Sequence, residues 1–326
     1  MWILWVVLGS LVFLVAVAVL VLSYMAFTML LKRDKEKSKR AWDGFISSIE
    51  AGKQAEKWTE WLTDFRAASD WMFGHDGYEK LSINSEGFKL FGHYVGQGAA
   101  RTVIVIHGYG VFNDGKLHAP DAKVFYEMGY NVFLPDVRSF GESDGKYIGM
   151  GHIDNVDILA WIKHLQEKFG AEGTFVLHGA SMGGAISVCA GGNPDLPAQV
   201  THIIADSAFS TIYELASHAL ATELKIKFKP AASLIALGME IWCKILAGYG
   251  FRRKSPIRAA ARVMCPIFVI HGTADSYTPL FMGEAIYAAC PSPAKKWWAI
   301  EGSTHPDCNF RYKDEEYQQR VKEFLK

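Results

Sequence analysis

The sequence lacks the charge imbalance that would indicate a strongly charged partner. Its 326 residues include 34 basic and 34 acidic side chains, so the formal net charge at pH 7 is zero. Proteins that bind nucleic acid usually carry a basic excess or a basic stripe. The composition therefore argues against a nucleic-acid partner. Half of the residues are apolar, which is enough for a sizeable core.

Cysteine is scarce, and its spacing fits neither a disulfide framework nor a zinc site. The five cysteines are far apart, and no two of them form a C-x-x-C pair: Cys189, Cys243, Cys265, Cys290 and Cys308. We interpret them as reduced residues, most of them in the core. The histidines and carboxylates show no metal-ligand spacing either. The sequence therefore predicts no metal ion.

Nucleotide-binding motifs and repeats are also absent. The glycine-containing turns include neither a G-x-G-x-x-G that opens a helix nor a Walker lysine. We find no internal repeat and no low-complexity tract. The sequence thus predicts a protein without a cofactor.

One long apolar run is present, at residues 1–31, and it contains no charged side chain. It exceeds the roughly 20 helical residues needed to cross about 30 Å of hydrocarbon. A cleavable signal peptide is the alternative, but the run is too long and no basic segment precedes it. The sequence predicts a transmembrane helix over 1–31, then a basic flank and amphipathic helical linker over 32–77.

The charges next to this helix predict its orientation. Six basic residues follow it directly: Lys32, Arg33, Lys35, Lys37, Lys39 and Arg40. Nothing basic precedes it except the amino terminus. The positive-inside rule therefore predicts a single-pass protein of the cell membrane with the following domain in the cytoplasm. An extracytoplasmic domain is the alternative.

The segment from Ala41 to Phe73 has a helical pattern rich in aromatic residues. Trp42 and Phe45 lie on one predicted face, and Trp58 and Trp61 lie on another. Two interpretations stay open. The aromatic side chains pack against the following domain, or they hold that domain close to the lipid surface.

The remainder, 78–326, has the pattern of an α/β protein. A hairpin is predicted over 78–95, followed by short apolar runs at 102–106, 131–135, 174–177, 200–204, 266–270 and 296–300. The segments between these runs are long enough for helices. Such runs are typical of a parallel sheet with helices on both faces.

An insertion at about 208–262 separates the fourth and fifth of these runs. It contains a largely apolar helix over 231–247. Because open α/β sheets bind ligands at the carboxyl ends of their strands, we predict that the insertion is a lid above that edge. An apolar lid favours an acyl or aromatic substrate. The alternative is a helix that only packs against the body.

The chemistry centres on a G-x-S-x-G motif at residues 179–183, between an apolar run and a helix of small residues. Glycines on either side of Ser181 remove the side chains that would clash in a sharp turn. Such a turn presents the serine hydroxyl above the sheet. The N–H of Met182 and the first turn of its helix then face a developing oxyanion.

A serine nucleophile needs a general base, and the base needs an orienting carboxylate. Asp275 follows the fifth run and His305 follows the sixth. The order Ser181, Asp275, His305 is the α/β-hydrolase order. Asp206, at the end of the fourth run, is the alternative to Asp275 as the orienting carboxylate. The other histidines in strands or turns are predicted to be structural: His107, His178 and His271.

With these motifs in place, residues 78–326 resemble the α/β-hydrolase superfamily. The chain is similar to membrane-anchored bacterial α/β hydrolases of the cell-surface type, and more loosely to cinnamoyl-esterase-like and acyl-peptidase relatives. The resemblance implies that 107–110, His-Gly-Tyr-Gly, is the oxyanion loop. The N–H of Tyr109 would then join that of Met182. Because the residue at the sharp turn of the G-x-S-x-G motif is a serine, the aspartate nucleophile of dehalogenase relatives is excluded.

The sequence therefore predicts a membrane-anchored serine hydrolase that cleaves acyl esters, of the carboxylesterase or lipase type. Ser181 attacks the carbonyl, His305 transfers the proton and Asp275 orients the imidazole. The expected partners are the lipid bilayer, through the first helix, and a small acyl-ester or lipid-like substrate. A serine peptidase of the same fold and a catalytically idle binding module are the alternatives.

Overall fold

The structure is a computed structural model of the chain, and it describes residues 1–110, 115–222 and 229–326. Its strands are β1 Tyr78–Ser85, β2 Phe88–Val95, β3 Arg101–Ile106, β4 Asn131–Pro135, β5 Thr174–Ala180, β6 Val200–Asp206, β7 Ile267–Gly272 and β8 Lys295–Ile300. Its α-helices are α1 Trp2–Leu31, α2 Lys35–Glu50, α3 Glu56–Phe73, α4 Ala119–Glu127, α5 Asp154–Phe169, α6 Met182–Gly191, α7 Ile212–Thr222, α8 Lys229–Leu246, α9 Pro256–Ala260, α10 Leu280–Ala289 and α11 Glu315–Phe324.

The strands form one sheet in the order β1-β2-β4-β3-β5-β6-β7-β8. The β1–β2 and β2–β4 pairs are antiparallel, and the strands from β3 to β8 are parallel. The predicted α/β fold, with a mostly parallel sheet behind an N-terminal hairpin, is therefore confirmed.

Alternating residues of the central strands feed two hydrophobic clusters, one on each face of the sheet. Ile104 and Ile106 belong to one cluster, and Val103 and Val105 belong to the other. Side chains alternate between faces along a strand, so a strand covered on both faces reads as a continuous apolar run. This explains the short runs in the sequence. It also leaves the carboxyl ends of the strands as the open edge.

Helix α1 divides into an exposed part and a buried part. Within the described residues it is the one helix long and apolar enough to cross a membrane, and its most apolar 18-residue window has no buried residue. The last third differs, because Ser23, Phe27 and Leu31 are buried against the domain. Phe27 and Leu31 belong to the larger core cluster.

The end of α1 is joined to the domain by backbone hydrogen bonds. Lys32 forms an isolated antiparallel bridge with Tyr147. The N–H of Arg33 donates to the carbonyl of Lys146 (2.8 Å), and the N–H of Ile148 donates to that of Leu31 (2.9 Å). The residues that directly follow α1 are therefore fixed to the domain and do not form a flexible linker.

Helices α2 and α3 pack against each other and against the domain. The Trp61 side chain is buried and stacks on Phe65 (5.3 Å between ring centroids). The Trp58 ring meets the edge of Phe310, in the 3₁₀ helix over 305–313 (5.1 Å). Of the two interpretations left open by the sequence, these contacts favour packing against the domain.

The insertion over 208–262 holds α7, α8 and α9, and its residues 223–228 lie outside the described part of the chain. Helix α8 packs on α7 and crosses the last third of α1. The crossing is close, since a Cβ at Gly238 would overlap the Ser23 hydroxyl. The inner face of α8, including Met239, belongs to the core.

Candidate active site

The turn between β5 and α6 is strained at Ser181, whose φ is 55° and ψ is −117°. A side chain other than glycine seldom adopts positive φ, and functional sites hold much of such strain. A Cβ at Gly179 would overlap the backbone of Gly183, and one at Gly183 would overlap the carbonyl of Ile106. The two glycines thus make the turn possible, and the turn places the serine hydroxyl at the open edge of the sheet.

Three side chains from separate loops meet at this edge. Ser181 Oγ lies 3.0 Å from His305 Nε2, and His305 Nδ1 lies 2.7 Å from Asp275 Oδ2. The imidazole is partly exposed, whereas the Asp275 side chain is fully buried. A hydroxyl, an imidazole and a carboxylate in this sequence form the arrangement that activates a serine for acyl transfer.

The Asp275 carboxylate is held by its own loop. Oδ1 accepts hydrogen bonds from the backbone N–H groups of Tyr277 (2.9 Å) and Thr278 (2.8 Å). Burial by itself would raise the pKa of Asp275. The hydrogen bond and charge of His305, together with the donors of Thr278, prevail and hold its pKa below the ordinary 3.8. The side chain is therefore an ionised acceptor for the imidazole.

Thr278 contacts both Asp275 and His305, and the sequence analysis does not identify it. Its hydroxyl donates to Asp275 Oδ2 (2.8 Å) and lies 3.0 Å from His305 Nδ1. Its carbonyl lies 2.6 Å from Nε2 of His271, the histidine predicted to be structural. The Asp-x-x-Thr spacing is the available signal, because aspartate and threonine side chains bond to backbone groups two or three residues away.

The predicted oxyanion donors lie beside the hydroxyl. Gly108 and Tyr109 line the same cavity as Ser181 and His305. A Cβ on Gly108 would come within 3.4 Å of the Ser181 Cβ, so this loop runs next to the nucleophile. Met182 is the first residue of α6, where N–H groups have no partner within the helix.

The substitute carboxylate, Asp206, is engaged elsewhere. It is buried, and its Oδ2 accepts from Arg311 Nε (2.9 Å) while its Oδ1 accepts from the Ser207 hydroxyl (2.8 Å). The structure thus gives His305 a hydrogen bond with Asp275 and gives Asp206 an ion pair with Arg311.

Two of the other histidines are buried in the core. His107 Nε2 accepts from the N–H of Val137 (3.1 Å), and burial lowers the pKa of His107 to about 3. His178 Nε2 lies 2.9 Å from the Tyr317 hydroxyl, and burial lowers the pKa of His178 to about 4. Both are neutral, hydrogen-bonded side chains, and neither bonds to Ser181.

The cavity above the serine has an aromatic wall from the N-terminal helices. Phe45 of α2 and Trp58 and Trp61 of α3 line it opposite the nucleophile. This wall is not apparent from the sequence, because it depends on how α2 and α3 fold back over residues more than 100 positions away.

A second, apolar cavity lies on the other side of Tyr109. It is formed between the end of α1, the lid helices and the loops of the site, by Leu30, Leu31, Tyr109, Met150, Ile212, Leu215, Ala216, Ala219, Met239 and Tyr277. Tyr109 borders both cavities, and its hydroxyl donates to the Leu30 carbonyl at the end of α1 (2.9 Å). The Tyr277 ring packs on His305 (5.0 Å). Tyr109 therefore separates the apolar cavity from the cavity that contains Ser181 and His305.

The described residues contain no group of three or more His, Cys, Asp or Glu side chains arranged to hold a metal ion.

The sheet order, the strained serine turn and the helices on both faces together define an α/β-hydrolase fold. The comparisons support the assignment of the chain to the α/β-hydrolase superfamily.

Comparison with known proteins agrees with this assignment. A family model described as "Serine aminopeptidase, S33" matches residues 97–242. The uncharacterized protein YqkD of Bacillus subtilis is 26% identical over 320 residues, covering 97% of this chain and 95% of that protein. The α/β hydrolase domain-containing protein aho-3 of Caenorhabditis elegans is 26% identical over 61% of this chain and 50% of its own length. Esterase Pf2001 of Pyrococcus furiosus has a similar fold, with a TM-score of 0.62 and 22% identity over 76% of this chain and 90% of that one.

Proposed function

We propose that the protein is a membrane-anchored serine hydrolase that cleaves acyl esters. The observation that carries the proposal is the hydrogen-bonded series Ser181–His305–Asp275 at a strained turn on the open edge of the sheet. The strain, the buried ionised carboxylate and the adjacent amide groups have a common explanation in acyl transfer.

In the first half-reaction, Ser181 Oγ forms a bond to the acyl carbon while His305 Nε2 takes the hydroxyl proton. Asp275 accepts a hydrogen bond from Nδ1 and stabilises the imidazolium. The bond from the acyl carbon to the alcohol oxygen then breaks, and His305 returns the proton to the leaving alcohol. Water repeats the sequence on the acyl-enzyme and releases the acid. The N–H groups of Tyr109 and Met182 stabilise the oxyanion in both halves.

The cavities favour an ester over a peptide with a free amino terminus. An aminopeptidase has to bind the ammonium group of its substrate, and a buried cation needs an anionic partner. None of the described residues that line either cavity is Asp or Glu. The description of the matching family model makes a serine peptidase the second candidate.

We further propose that α1 is a membrane anchor and that the domain lies on the cytoplasmic side. The length and exposure of α1 support the anchor, and the basic residues after it support the orientation. Protease treatment of intact cells tests the orientation. The domain should resist digestion until the membrane is permeabilised, and digestion from outside would contradict the cytoplasmic assignment.

A fluorophosphonate probe tests the nucleophile. The full chain should be labelled covalently, and Ser181→Ala should abolish both labelling and ester turnover. Ser187→Ala is the matched control, because Ser187 is a buried serine of α6 whose hydroxyl donates to the Gly183 carbonyl of its own helix. Absence of labelling in both the wild type and the control would point to an idle binding module instead.

Paired substrates separate esterase from peptidase. We expect turnover of p-nitrophenyl acyl esters and little turnover of amino-acid p-nitroanilides. Faster turnover of the anilides would overturn the ester assignment while leaving the serine mechanism intact.

A further inference from the structure

Helix α8 is apolar on the face that points away from the domain as well as on the face that packs against it. The outward residues are Leu234, Leu237, Ile241 and Ile245, which are 51%, 41%, 44% and 66% exposed. Their spacing of three, four and four residues places them on one side of the helix. We call them the α8 stripe. A helix that is apolar on both sides is typically buried, in a protein core or in lipid.

The α8 stripe lies beside the exposed part of α1. Trp242 Nε1 donates to the Leu20 carbonyl (3.0 Å), and its ring meets the edge of Tyr24 (5.2 Å). At the crossing, Gly238 lies against Ser23. Small residues at a close crossing are typical of helix pairs in membranes. The lipid-facing surface of the anchor therefore continues onto α8.

The length of α1 shows at which level this crossing occurs. At 1.5 Å per residue its 30 residues extend about 45 Å, roughly 15 Å more than the hydrocarbon core of a bilayer. The excess corresponds to the last third, where Ser23, Phe27 and Leu31 are buried in the domain. The membrane surface then falls near residues 20–24. Tyr24 and Trp242 lie at this level, where amphipathic aromatic side chains are enriched.

The inner side of α8 forms a wall of the apolar cavity. Met239 of α8 and Leu30 and Leu31 of α1 line this cavity, and Tyr109 separates it from Ser181. The seam between α1 and α8 thus has lipid on one side and the apolar part of the site on the other.

We propose that α8 is a second membrane contact, with its stripe among the acyl chains, and that the substrate is an acyl ester resident in the bilayer. Its chain passes from the bilayer along the α1–α8 seam into the apolar cavity, which brings the ester carbonyl past Tyr109 to Ser181. The substrate assignment rests on the proposed function. The membrane contact of α8 does not.

The test uses the full chain reconstituted in phosphatidylcholine vesicles. Turnover of p-nitrophenyl palmitate in the bilayer is compared with turnover of p-nitrophenyl acetate in the buffer. The test variant is Leu237→Lys/Ile241→Lys. The control is Met264→Lys, because Met264 is also an exposed apolar residue (64%) but lies just before β7, at the amino end of that strand.

In the test variant the ratio of palmitate to acetate turnover should fall at least tenfold, and in the control it should stay within twofold of wild type. An unchanged ratio in the test variant would overturn the entry route. Loss of a cross-linked dimer in the test variant would overturn it as well, since the stripe would then be a contact between two copies of the chain.

A second measurement is independent of activity. An environment-sensitive dye attached at Ile241→Cys should shift to shorter emission wavelength when the protein enters vesicles, whereas a dye at Met264→Cys should not. Equal emission at both positions would overturn the membrane contact of α8. Absence of acetate turnover with a clear dye shift would overturn the proposed function and leave the membrane contact standing.

Discussion

At the scale of single residues, the site depends on how the carboxylate of Asp275 is held. It is fully buried and accepts hydrogen bonds from two backbone amides, the Thr278 hydroxyl and His305. A buried carboxylate with this many donors keeps both its charge and its orientation. The imidazole that bonds to it is thereby fixed in one tautomer, with Nε2 directed at the serine.

Replacement of Thr278 tests this support. Thr278→Val keeps the shape of the side chain but removes the hydroxyl, and a hydrogen bond to a charged group is worth about 1.5–3 kcal/mol. We expect a loss of stability of that order and a lower kcat with little change in KM. Thr278→Ser should restore most of the kcat. A valine variant with unchanged kcat would show that Thr278 has no part in orienting the imidazole.

The raised pKa of the Asp154 side chain makes the stability of the protein depend on pH. Burial raises the pKa of Asp154 to about 7, and the hydrogen bond that its side chain accepts from the N–H of Gly151 offsets only part of this effect. Between pH 4 and 7 the unfolded chain releases this proton while the folded chain keeps it. The contribution of Asp154 to the free energy of unfolding therefore falls as pH rises across this window.

Asp154→Asn should remove this slope. Relative to wild type, the free energy of unfolding should gain up to about 1.4 kcal/mol per pH unit between pH 4 and 7. Denaturant titrations across that range measure the slope. Asp43→Asn, at an exposed position of α2, is the control and should leave the slope unchanged. Parallel curves for wild type and Asp154→Asn would contradict the prediction.

The residues of the site differ in how far the sequence predicts them. Ser181, Asp275 and His305 are predictable because each follows an apolar run, and parallel strands bring their carboxyl ends to one edge. Thr278 and Tyr277 escape notice because their role depends on side-chain directions within a loop. The aromatic wall escapes notice because it depends on contacts between distant segments.

At the scale of helices and strands, α1 and α8 cross at close range. A Cβ at Gly238 would overlap the Ser23 hydroxyl and lie 2.6 Å from its Cβ, so the helices would have to separate. Gly238→Ala should therefore destabilise the protein by about 1–3 kcal/mol, as overpacking does. Thermal unfolding in detergent measures the effect.

Gly44→Ala is the control for this substitution. Gly44 also lies inside a helix, α2, but a Cβ there would meet nothing within 4 Å. Since alanine favours helix over glycine by about 0.5–1 kcal/mol, this variant should be slightly more stable than wild type. Equal effects at the two positions would indicate that helix propensity, and not the crossing, decides the outcome.

The strands are predicted well and the function of the helices less well. A strand that is buried on both faces appears in the sequence as a short run of apolar residues. Six of the eight strands are predicted from such runs. Helix α8 is also recognisable as a helix. Its apolar residues cover more than one side of the helix, however, so its sequence does not indicate which of them pack on the domain and which are left exposed.

At the scale of the whole molecule, the end of α1 is part of the core. The Phe27 side chain is fully buried and its ring packs against Tyr147 (5.6 Å between centroids). Phe27→Ala should cost about 3–5 kcal/mol, as expected when a large buried side chain is truncated. Phe13→Ala, on the exposed part of the same helix (67%), should change stability by less than about 0.5 kcal/mol.

The free energy of unfolding of these variants is measured in detergent by denaturant titration. A negligible effect of Phe27→Ala would mean that α1 is only a tether. The sequence does not reveal this division of α1. All of residues 1–31 are uncharged and most are apolar, so a lipid-facing phenylalanine and a core phenylalanine look alike.

The backbone joint between Leu31–Arg33 and the 146–148 segment has a consequence for how the protein meets its substrates. On the proposal that α1 spans the membrane, a domain joined in this way is held at one height and one tilt relative to the bilayer. It would then meet molecules that diffuse in the plane of the membrane more readily than molecules dissolved in the solution. The rate at which the domain collides with substrate should accordingly depend on the surface density and lateral diffusion of the substrate. A flexible glycine-serine segment inserted at the joint would let the domain also reach substrate in the surrounding solution.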